Sequence, residues 1–377
     1  MHIFGLGIIG CGNISEIYFT NAALFKRLKL VACADAVPEA AQKRAAQFNV
    51  EALSVEALLA RPDIDIVVNL TVPNAHFAVS MAAIAAGKHV FTEKPLAHTA
   101  AKGRELVAAA KAANLHLASA PDTFLGAGGQ LARKLVDEGA IGRPVAGTAF
   151  LMGHGMEDWH PNPEFFFKPG GGPVLDMGPY YVTALVNLLG PCARVTALTS
   201  MGQDERIVTA AGPNVGQRIK VETPTTAMAL LEFVGGAHIV MTLSWDVWNH
   251  TNAPIEIHGT EGSLRVPDPN FYGGNVEISR RGADWEVLDT KGDTFGKLNF
   301  PSIAPSRANY RVLGIADLAA AIERGEPSRA SGDLALHVLE VLEAILDSGA
   351  KRAAVELPVR LVSPHNLSAA QALDLAT

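Results

Sequence analysis

The sequence predicts an α/β domain built on a parallel sheet, followed by an α+β domain with a large, mostly antiparallel open sheet. Up to about residue 120, short apolar segments alternate with helical segments, which is typical of a doubly wound parallel sheet. After Pro144, strand-length apolar segments follow one another with few helices between them, and Gly235-Gly236 and Glu261-Gly262 are hairpin signals. We therefore predict a first domain over residues 1–122 and a second domain over residues 123–377.

Composition and charge argue against several classes of protein. The net charge is −7 and no long basic run is present, which argues against nucleic acid and membrane surfaces as partners. No apolar run has the length of a membrane span, and the apolar amino terminus lacks the basic residues of a signal peptide. Cys11, Cys33 and Cys192 show no paired spacing, so we expect reduced thiols in a cytoplasmic protein and no metal site.

Two overlapping glycine patterns lie near the amino terminus. Residues 5–10 match G-x-G-x-x-G, but only four residues precede them, too few for the strand that this motif needs. The second pattern starts at Gly10 and Gly12 and has Ser15 in place of the third glycine. We expect the second pattern to be the functional one.

The surroundings of the second pattern indicate a Rossmann dinucleotide-binding loop. It follows a predicted strand over residues 3–9 and opens a predicted helix over residues 14–25. Glycine lets the backbone approach a pyrophosphate, and the amino terminus of the helix attracts its negative charge. The residues predicted to bind the cofactor here are Gly10, Gly12, Asn13 and Ile14.

A carboxylate follows the second predicted strand, which covers residues 28–34. Asp35 stands at the distance along the chain expected for the residue that binds the adenosine ribose hydroxyls. Ala36 and Val37 follow it, so no adjacent cation offsets the repulsion between a carboxylate and a 2′-phosphate. The sequence therefore favours NAD over NADP as the cofactor.

Two further loops are predicted at carboxyl ends of strands, where open α/β sheets bind ligands. The first follows the predicted strand over residues 64–70 and leads into a helix. We expect it to line the cofactor through Thr71, Pro73 and Asn74, and through His76 in the first helical turn, although His76 also fits a packing role.

The second loop contains Glu93, Lys94 and Pro95, after a short apolar strand over residues 89–91. Proline disfavours a helical conformation of the residue before it, so Lys94 is held extended at the end of the strand. A lysine at this position can polarise a substrate oxygen or change the pKa of a neighbouring acid. We predict that Glu93 and Lys94 contact the cofactor and that Lys94 also acts in catalysis.

A second group of polar and aromatic residues lies in the predicted second domain. Residues 154–163 include Trp159 and His160, which suit a polyol because they combine an apolar ring face with hydrogen-bonding groups. A glycine run at residues 170–172 then precedes Asp176 and Tyr180, which share one face if both are helical. Pro179 indicates that the regular helix begins near it, which would leave Asp176 at the helix entrance.

The order and spacing of four motifs make the chain resemble the glucose–fructose oxidoreductase / inositol dehydrogenase (Gfo/Idh/MocA) family over nearly its whole length. The motifs are Gly10 to Ile14, Thr71 to Asn74, Glu93-Lys94-Pro95 and Gly171 to Tyr180. The resemblance implies an NAD(P)-dependent oxidoreductase with Lys94 as the active-site lysine and Asp176 as the active-site carboxylate.

The sequence departs from the family pattern at one position of the site. The family motif Asp-x-Gly-x-His ends in a histidine that transfers protons, whereas Tyr180 stands at that position here. A phenol has an ordinary pKa of ~10, against ~6.5 for imidazole. Three proton acceptors therefore stay open: Tyr180 assisted by Lys94, Lys94 itself, or His154 or His160 from the preceding loop.

The function predicted from the sequence is an NAD-dependent dehydrogenase that acts on a hydroxyl of a sugar, sugar derivative or cyclitol. Lys94, Asp176 and Tyr180 would be catalytic, and Trp159, His160 and Tyr180 would contact the substrate. Two alternatives are a redox-neutral glycosidase that retains its NAD and a non-catalytic sugar or dinucleotide sensor. We also expect a homodimer or homotetramer formed through the second sheet, because a broad exposed sheet face needs cover.

Overall fold

The structure, a computed structural model, describes residues 1–299 and 307–376. Within residues 1–122, six strands form a parallel sheet in the order β3-β2-β1-β4-β5-β6. These strands are β1 (Phe4–Ile9), β2 (Leu28–Ala34), β3 (Glu51–Ala52), β4 (Ile66–Asn69), β5 (His89–Thr92) and β6 (Leu117–Ser119). The order reverses between β1 and β4, so a ligand is expected beside the carboxyl ends of these two strands.

The helices that connect these strands are α1 (Ser15–Ala22), α2 (Pro38–Phe48), α3 (Val55–Leu59), α4 (Pro73–Ala85) and α5 (Ala100–Ala112). The predicted end of α1 at residue 25 was wrong, because the backbone N–H groups of Leu24 and Phe25 form turns that lead the chain into β2. The sequence analysis also missed β3, which is only two residues long.

Two glycines that matched the rejected motif lie inside β1. A Cβ atom on Gly5 would come within 1.8 Å of the Asp63 carbonyl oxygen, and one on Gly7 would come within 2.7 Å of the Leu58 side chain. These glycines allow close packing against the segment before β4. The second glycine pattern therefore lies in the loop between β1 and α1, and its role in binding a cofactor stays a prediction.

The second sheet contains nine of the described strands, in the order β16-β15-β14-β13-β7-β12-β11-β8-β17. Neighbouring strands are antiparallel except for the parallel pair β7 and β12. A separate hairpin is formed by β9 and β10. The strands are β7 (Pro144–Met152), β8 (Cys192–Ser200), β9 (Glu205–Ile207), β10 (Arg218–Lys220), β11 (Thr226–Phe233), β12 (His238–Ser244), β13 (Ile255–Gly259), β14 (Gly262–Val266), β15 (Val276–Arg280), β16 (Glu286–Leu288) and β17 (Val355–Glu356).

Helices cover one face of this sheet. These are α6 (Ala127–Asp137), α7 (Gly172–Asp176), α8 (Gly178–Leu189) and α10 (Gly332–Lys351). By contrast, α9 (Leu313–Arg324) packs against β5 and β6, and α11 (Ala369–Leu375) packs against α9. Short 3-10 turns lie at Thr123–Leu125 and Glu164–Phe167. In β11, Ala227, Ala229 and Leu231 are buried under the helices, whereas Met228 and Leu230 face outward and are exposed. This alternation is typical of a sheet with one covered face. The predicted α+β class is confirmed.

The carboxyl-terminal segment of the chain packs against the first domain as well as the second. The N–H of Ser119 in β6 donates to the carbonyl of Ala330 at 2.9 Å, and Phe25 forms a β-bridge with Ala376. Arg27 donates to both the carboxylate and the carbonyl of Asp374. The domain division at residue 122 stays a prediction. Within the described residues, no helix has the length and apolar character needed to cross a membrane.

Candidate active site

The loop between β1 and α1 has the conformation and the open space that a pyrophosphate needs. Gly10 has a φ of +104°, and a Cβ there would lie 2.5 Å from the carbonyl carbon of Leu70, so this position requires glycine. A Cβ on Gly12 would meet no atom within 4 Å, so this side of the loop is open. The loop therefore fits a dinucleotide, and its second glycine leaves room for close approach.

The amino terminus of α1 is held in place by Ser15. Its buried hydroxyl donates to the carbonyl of Gly12 at 2.6 Å, and Arg44 of α2 donates to the same hydroxyl at 3.1 Å. Asn13 and Ile14 are exposed, and no side chain caps the helix. The N–H of Ser15 donates to the carbonyl of Gly12 at 3.1 Å, so the N–H groups that follow it at the start of α1 are the ones available to an anion.

Asp35 lies beside this loop, at the end of β2. One carboxylate oxygen accepts the N–H of Cys11 at 2.7 Å, and the other accepts the N–H of Val37 at 2.8 Å. These bonds fix the carboxylate next to the glycine loop, where an adenosine ribose is expected. Arg44, a guanidinium near the loop, is paired with Glu16 at 2.8 Å.

Asn69 organises the loop after β4. Its buried side chain accepts the N–H and the hydroxyl of Thr71 and donates to Ser80 of α4. Pro73 and Asn74 are exposed in the first turn of α4, which no side chain caps. Thr71, Pro73 and Asn74 therefore border the carboxyl edge of the sheet, as the sequence predicts for residues that line a cofactor.

His76 joins two loops from inside the protein. It is 1% exposed, with Nδ1 2.7 Å from the carbonyl oxygen of Pro95 and Nε2 2.9 Å from that of Thr71. Both ring nitrogens thus face protein carbonyls, the packing role that the sequence left open. Its predicted contact with the cofactor stays a prediction, and the contacts that the structure gives it position the loops after β4 and β5.

Glu93 is held at the end of β5 by two donors. The hydroxyl of Tyr18 in α1 donates to one carboxylate oxygen at 2.7 Å, and the N–H of Lys94 donates to the other at 2.9 Å. The peptide bond between Lys94 and Pro95 is cis. The first helix and the fifth strand are thereby tied together directly below Lys94.

Lys94 extends from β5 to the second domain, where it meets Asp176. Its Nζ donates to Oδ1 of Asp176 at 2.8 Å and to the Asp176 carbonyl at 2.5 Å, and the two side chains are 16% and 23% exposed. Burial by itself lowers the pKa of Lys94, but Asp176, Tyr180 and Glu93 raise it, and the net shift is upward. Lys94 is therefore an ammonium at neutral pH and a hydrogen-bond donor.

Asp176 is the last residue of α7, and Met177 separates it from α8, which begins at Gly178. The expectation that the regular helix begins near Pro179 is confirmed, because α8 begins at Gly178, and the glycine run forms a separate short helix before it. No side chain caps α8, so Asp176 does not act as its cap. The end of α7 at this position directs the Asp176 carboxylate toward Lys94.

Tyr180 lies in the first turns of α8 and is 7% exposed. Its ring centroid is 5.4 Å from Nζ of Lys94, and its hydroxyl oxygen is 3.5 Å from a nitrogen of Arg311, which donates to it. The phenol therefore lies between an ammonium and a guanidinium. The sequence analysis missed Arg311 because it stands 131 residues after Tyr180, in a loop without a recognisable motif.

More polar groups surround Arg311 at the seam between the domains. Burial raises the pKa of Asp122, although it accepts the hydroxyl of Tyr272 and the N–H of Gly314. Asn21 of α1 donates to the carbonyls of Asn309 and Arg311 at 2.9 and 3.1 Å. These bonds fix the loop that carries Arg311 against the cofactor domain.

Trp159 and His160 lie in an aromatic cluster of their own. Trp159 is 63% exposed, and the ring of His160 packs edge-on against Trp159, Phe165 and Phe166. Nδ1 of His160 accepts the N–H of Asn162 at 3.1 Å. Among the described residues, no hydrogen bond, ion pair or ring contact joins this cluster to Lys94, so its role toward a substrate stays a prediction.

His154, the other loop histidine, stacks on Trp248 with ring centroids 3.5 Å apart. Its Nε2 lies 3.6 Å from a carboxylate oxygen of Glu157, which is itself paired with the buried Arg206. The contacts of both loop histidines are thus with residues other than Lys94. Of the three open proton acceptors, Lys94 already carries a proton at neutral pH. Among the other two, it is Tyr180 that contacts Lys94.

The Rossmann sheet, its open glycine loop and the lysine–carboxylate pair define an NAD-binding oxidoreductase. Residues 4–120 match a family described as an oxidoreductase family with an NAD-binding Rossmann fold, and residues 130–265 match the GFO/IDH/MocA C-terminal domain. The chain belongs to the GFO/IDH/MocA family of oxidoreductases, which confirms the resemblance drawn from its motifs.

Several relatives of this chain are named as enzymes of sugars, and others are named trans-1,2-dihydrobenzene-1,2-diol dehydrogenase. It is 26% identical to levoglucosan dehydrogenase of Pseudarthrobacter phenanthrenivorans, over 95% of this chain and 99% of the relative. It is 28% identical to 1,5-anhydro-D-fructose reductase of Ensifer adhaerens, over 94% of this chain and 99% of the relative. A solved structure of levoglucosan dehydrogenase with NADH and levoglucosan has a TM-score of 0.80 and 25% identity, and the match covers 95% of this chain and 100% of that one.

Proposed function

We propose that the protein is an NAD-dependent dehydrogenase that oxidises a hydroxyl of a sugar, sugar derivative or cyclitol, or catalyses the reverse reduction. The observation that carries this proposal is the Lys94 ammonium, which Asp176 holds beside Tyr180 at the carboxyl edge of the parallel sheet. The sugar-active relatives support the same reaction class.

The cofactor fits the residues present. The pyrophosphate would lie against Gly10, Gly12 and the uncapped start of α1, and the ribose hydroxyls against Asp35. The residues that complete the proposed site at the loops are Asn13, Ile14, Thr71, Pro73, Asn74, His76, Glu93 and Lys94. When bound, NAD supplies the hydride acceptor.

Lys94 binds and polarises the reacting oxygen. A lysine ammonium has three N–H donors, and Asp176 accepts two of them through its carboxylate and its carbonyl. The remaining donor can reach the substrate hydroxyl and stabilise negative charge on its oxygen. Because its pKa is raised, Lys94 keeps its proton throughout. Asp176 orients Lys94, and the phenolate form of Tyr180 accepts the hydroxyl proton.

The preference for NAD over NADP rests on Asp35. Its carboxylate is fixed at the end of β2 by two backbone N–H groups and would repel a 2′-phosphate. Arg44 cannot offset this repulsion freely, since Glu16 already neutralises it.

Trp159 and His160 are proposed to contact the far side of the sugar.

An exposed apolar patch on the open face of the second sheet supports a homodimer or homotetramer. Leu198, Met228, Leu230 and Val240 are each at least 44% exposed, and they lie on three adjacent strands. A contiguous patch of this kind is a typical subunit interface.

A cytoplasmic location is proposed because all three cysteines are free and buried.

The test is absorbance in the NADH band while the purified protein is offered NAD and a panel of sugars and inositols, with NADP in a parallel arm. NADH formation with at least one polyol is the expected result and names the substrate class. A signal with NADP alone would overturn the role given to Asp35. Silence across the panel, from protein shown to bind NAD, would favour the NAD-retaining glycosidase or the sensor.

A further inference from the structure

Arg311 is a half-buried guanidinium with unusual neighbours. One nitrogen donates to Asn309 Oδ1 at 3.2 Å, and another donates to the hydroxyl oxygen of Tyr180 at 3.5 Å. Among the described residues, no carboxylate lies within ion-pair distance of it. A guanidinium in such surroundings favours an anion nearby, because its charge is only partly solvated.

We propose that Arg311 is a positioning residue that prepares Tyr180 to act as the proton acceptor, in place of the histidine found in the family motif. This inference rests on the proposed dehydrogenase function. In the reaction, the substrate O–H proton passes to the Tyr180 phenolate oxygen, and the carbinol C–H hydrogen leaves as hydride to NAD. The products are a carbonyl compound, NADH and a neutral phenol.

Two cations lie close to Tyr180, one at its hydroxyl oxygen and one over its ring. Arg311 faces the hydroxyl oxygen, and Lys94 lies over the ring, so two cations stabilise negative charge on this side chain. Asp176 opposes them from the preceding turn, but its carboxylate is already bound to Lys94. Because Lys94 and Asp176 neutralise each other, Arg311 is the cation beside the phenol that no carboxylate at ion-pair distance offsets among the described residues.

The groups around Arg311 from other elements are Tyr18 and Glu93 of the first domain, and Asp122 and Tyr272 behind it. Tyr18 donates to Glu93, and Tyr272 donates to Asp122, so each carboxylate already has a phenol donor. Burial by itself lowers the pKa of Arg311, but Tyr180, Tyr272, Tyr18 and Glu93 raise it, and the net shift is upward. Arg311 therefore stays charged.

The loop that carries Arg311 is fixed, as a positioning residue requires. Asn21 of α1 donates to the Arg311 carbonyl and to the Asn309 carbonyl, and the Asn309 side chain in turn accepts from the Arg311 guanidinium. Arg311 is thus anchored to the cofactor domain while it contacts Tyr180 of the second domain. It would keep the phenol in one orientation relative to the glycine loop.

The experiment compares Arg311→Met and Arg311→Lys with wild type and with Tyr180→Phe, and uses Arg281→Met as the control because Arg281 is 81% exposed. The first readout is kcat/KM for the active polyol against pH. In R311M the rise of kcat/KM with pH should move about one pH unit or more to the alkaline side, and the value at neutral pH should fall about 10- to 100-fold. R311K should recover part of both.

The second readout needs no turnover and separates a failure of this inference from a failure of the proposed function. Tyrosinate absorbance is titrated with pH, and the Y180F spectrum is subtracted to isolate Tyr180. Burial raises the pKa of the other four phenols, Tyr18, Tyr181, Tyr272 and Tyr310, so they ionise later. The isolated signal should appear at higher pH in R311M than in wild type or R311M's control R281M.

Three outcomes would overturn the inference. One is a tyrosinate signal with the same midpoint in wild type and R311M. Another is a double variant of R311M and Y180F whose loss of kcat/KM equals the sum of the two single losses in free energy, because the effects of residues that act through each other are not additive. The third is a loss confined to KM for acidic sugars, which would make Arg311 a binding group for a substrate anion. A misfolded R311M is replaced by R311Q, which also removes the charge.

Discussion

Nζ of Lys94 lies 2.8 Å from Oδ1 of Asp176, and this contact joins the end of a strand in the first domain to the end of a helix in the second. Neither residue has another partner of opposite charge at that distance among the described residues. The pair thus places the ammonium between the parallel sheet and the helices of the second sheet.

We expect Lys94→Ala to lower kcat about 100- to 1,000-fold while NAD binding changes little, because the ammonium stabilises charge that develops on the substrate oxygen. NADH formation gives kcat, and fluorescence titration gives the dissociation constant for NAD. The matched control is Lys351→Ala, on an exposed lysine at the end of α10. Near-normal turnover of K94A would refute the mechanism.

Replacing Tyr180 by His restores the family motif and tests the chemistry of this position. Imidazole has an ordinary pKa of ~6.5, against ~10 for a phenol, so Y180H should reach its maximal activity at a lower pH than wild type. Arg311 disfavours a protonated ring there, which should enlarge the shift. The measurement is kcat/KM against pH, and an unchanged profile would mean that this side chain does not accept the proton.

Asp35→Ser should reduce the preference for NAD over NADP about 10- to 100-fold, since it removes the charge that repels a 2′-phosphate. The ratio of kcat/KM for the two cofactors measures this effect. Glu39→Ser, on an exposed acid in the first turn of α2, serves as the control. If the ratio is the same in D35S and wild type, Asp35 does not select the cofactor.

The pH dependence of stability should carry a contribution from His337. Burial lowers its pKa to about 4, and its Nε2 accepts the N–H of Cys192 at 3.0 Å, so the native ring is neutral. The unfolded chain binds a proton near pH ~6.5, and stability is therefore lost as the pH falls from there through about 4, by roughly 3 kcal/mol in all.

His337→Gln keeps an acceptor but removes the titrating ring, so its unfolding free energy should depend less on pH over this window. Urea unfolding at about pH 7 and at about pH 4.5 gives the unfolding free energies of wild type and H337Q, which are then compared. The same loss in H337Q and wild type would show that other groups account for acid sensitivity.

A charge in the exposed patch of the second sheet should break the oligomer. Leu230→Glu places a carboxylate on β11 among Leu198, Met228 and Val240, where a subunit interface would have to desolvate it. Light scattering coupled to gel filtration measures the mass. Val362→Glu is the control, on a residue that is 85% exposed and lies off the sheet. A wild-type monomer, or an L230E protein of unchanged mass, would contradict the proposed interface.

The parallel sheet and the glycine loop were readable from the sequence because their signals are local. The strand, the glycine loop and the helix follow one another within about 20 residues, and the tight turn between strand and helix fixes the spacing of the glycines. Lys94, Asp176 and Tyr180 were found through motifs, and the structure brings these three together. The predicted end of α1 failed, because helix ends depend on turns that composition specifies weakly.

The residues that the sequence could not supply meet only through tertiary structure. Arg311 approaches Tyr180 because Asn21 of α1 binds the loop around it, a contact between positions 290 residues apart. No periodicity encodes such a meeting. The short helix α7 was also not predicted, since a glycine run before Pro179 does not indicate whether its residues are helical, although the start of α8 near Pro179 was.

The bond between β6 and Ala330 has a consequence for synthesis on the ribosome. The N–H of Ala100 also donates to Glu343, and Leu339 packs against Ala97 and Ala100, so α10 covers the outer flank of the first domain. Domains ordinarily fold in order as they emerge. Here the first domain leaves the exit tunnel with that flank bare, and α10 can cover it only after some 200 further residues have been translated.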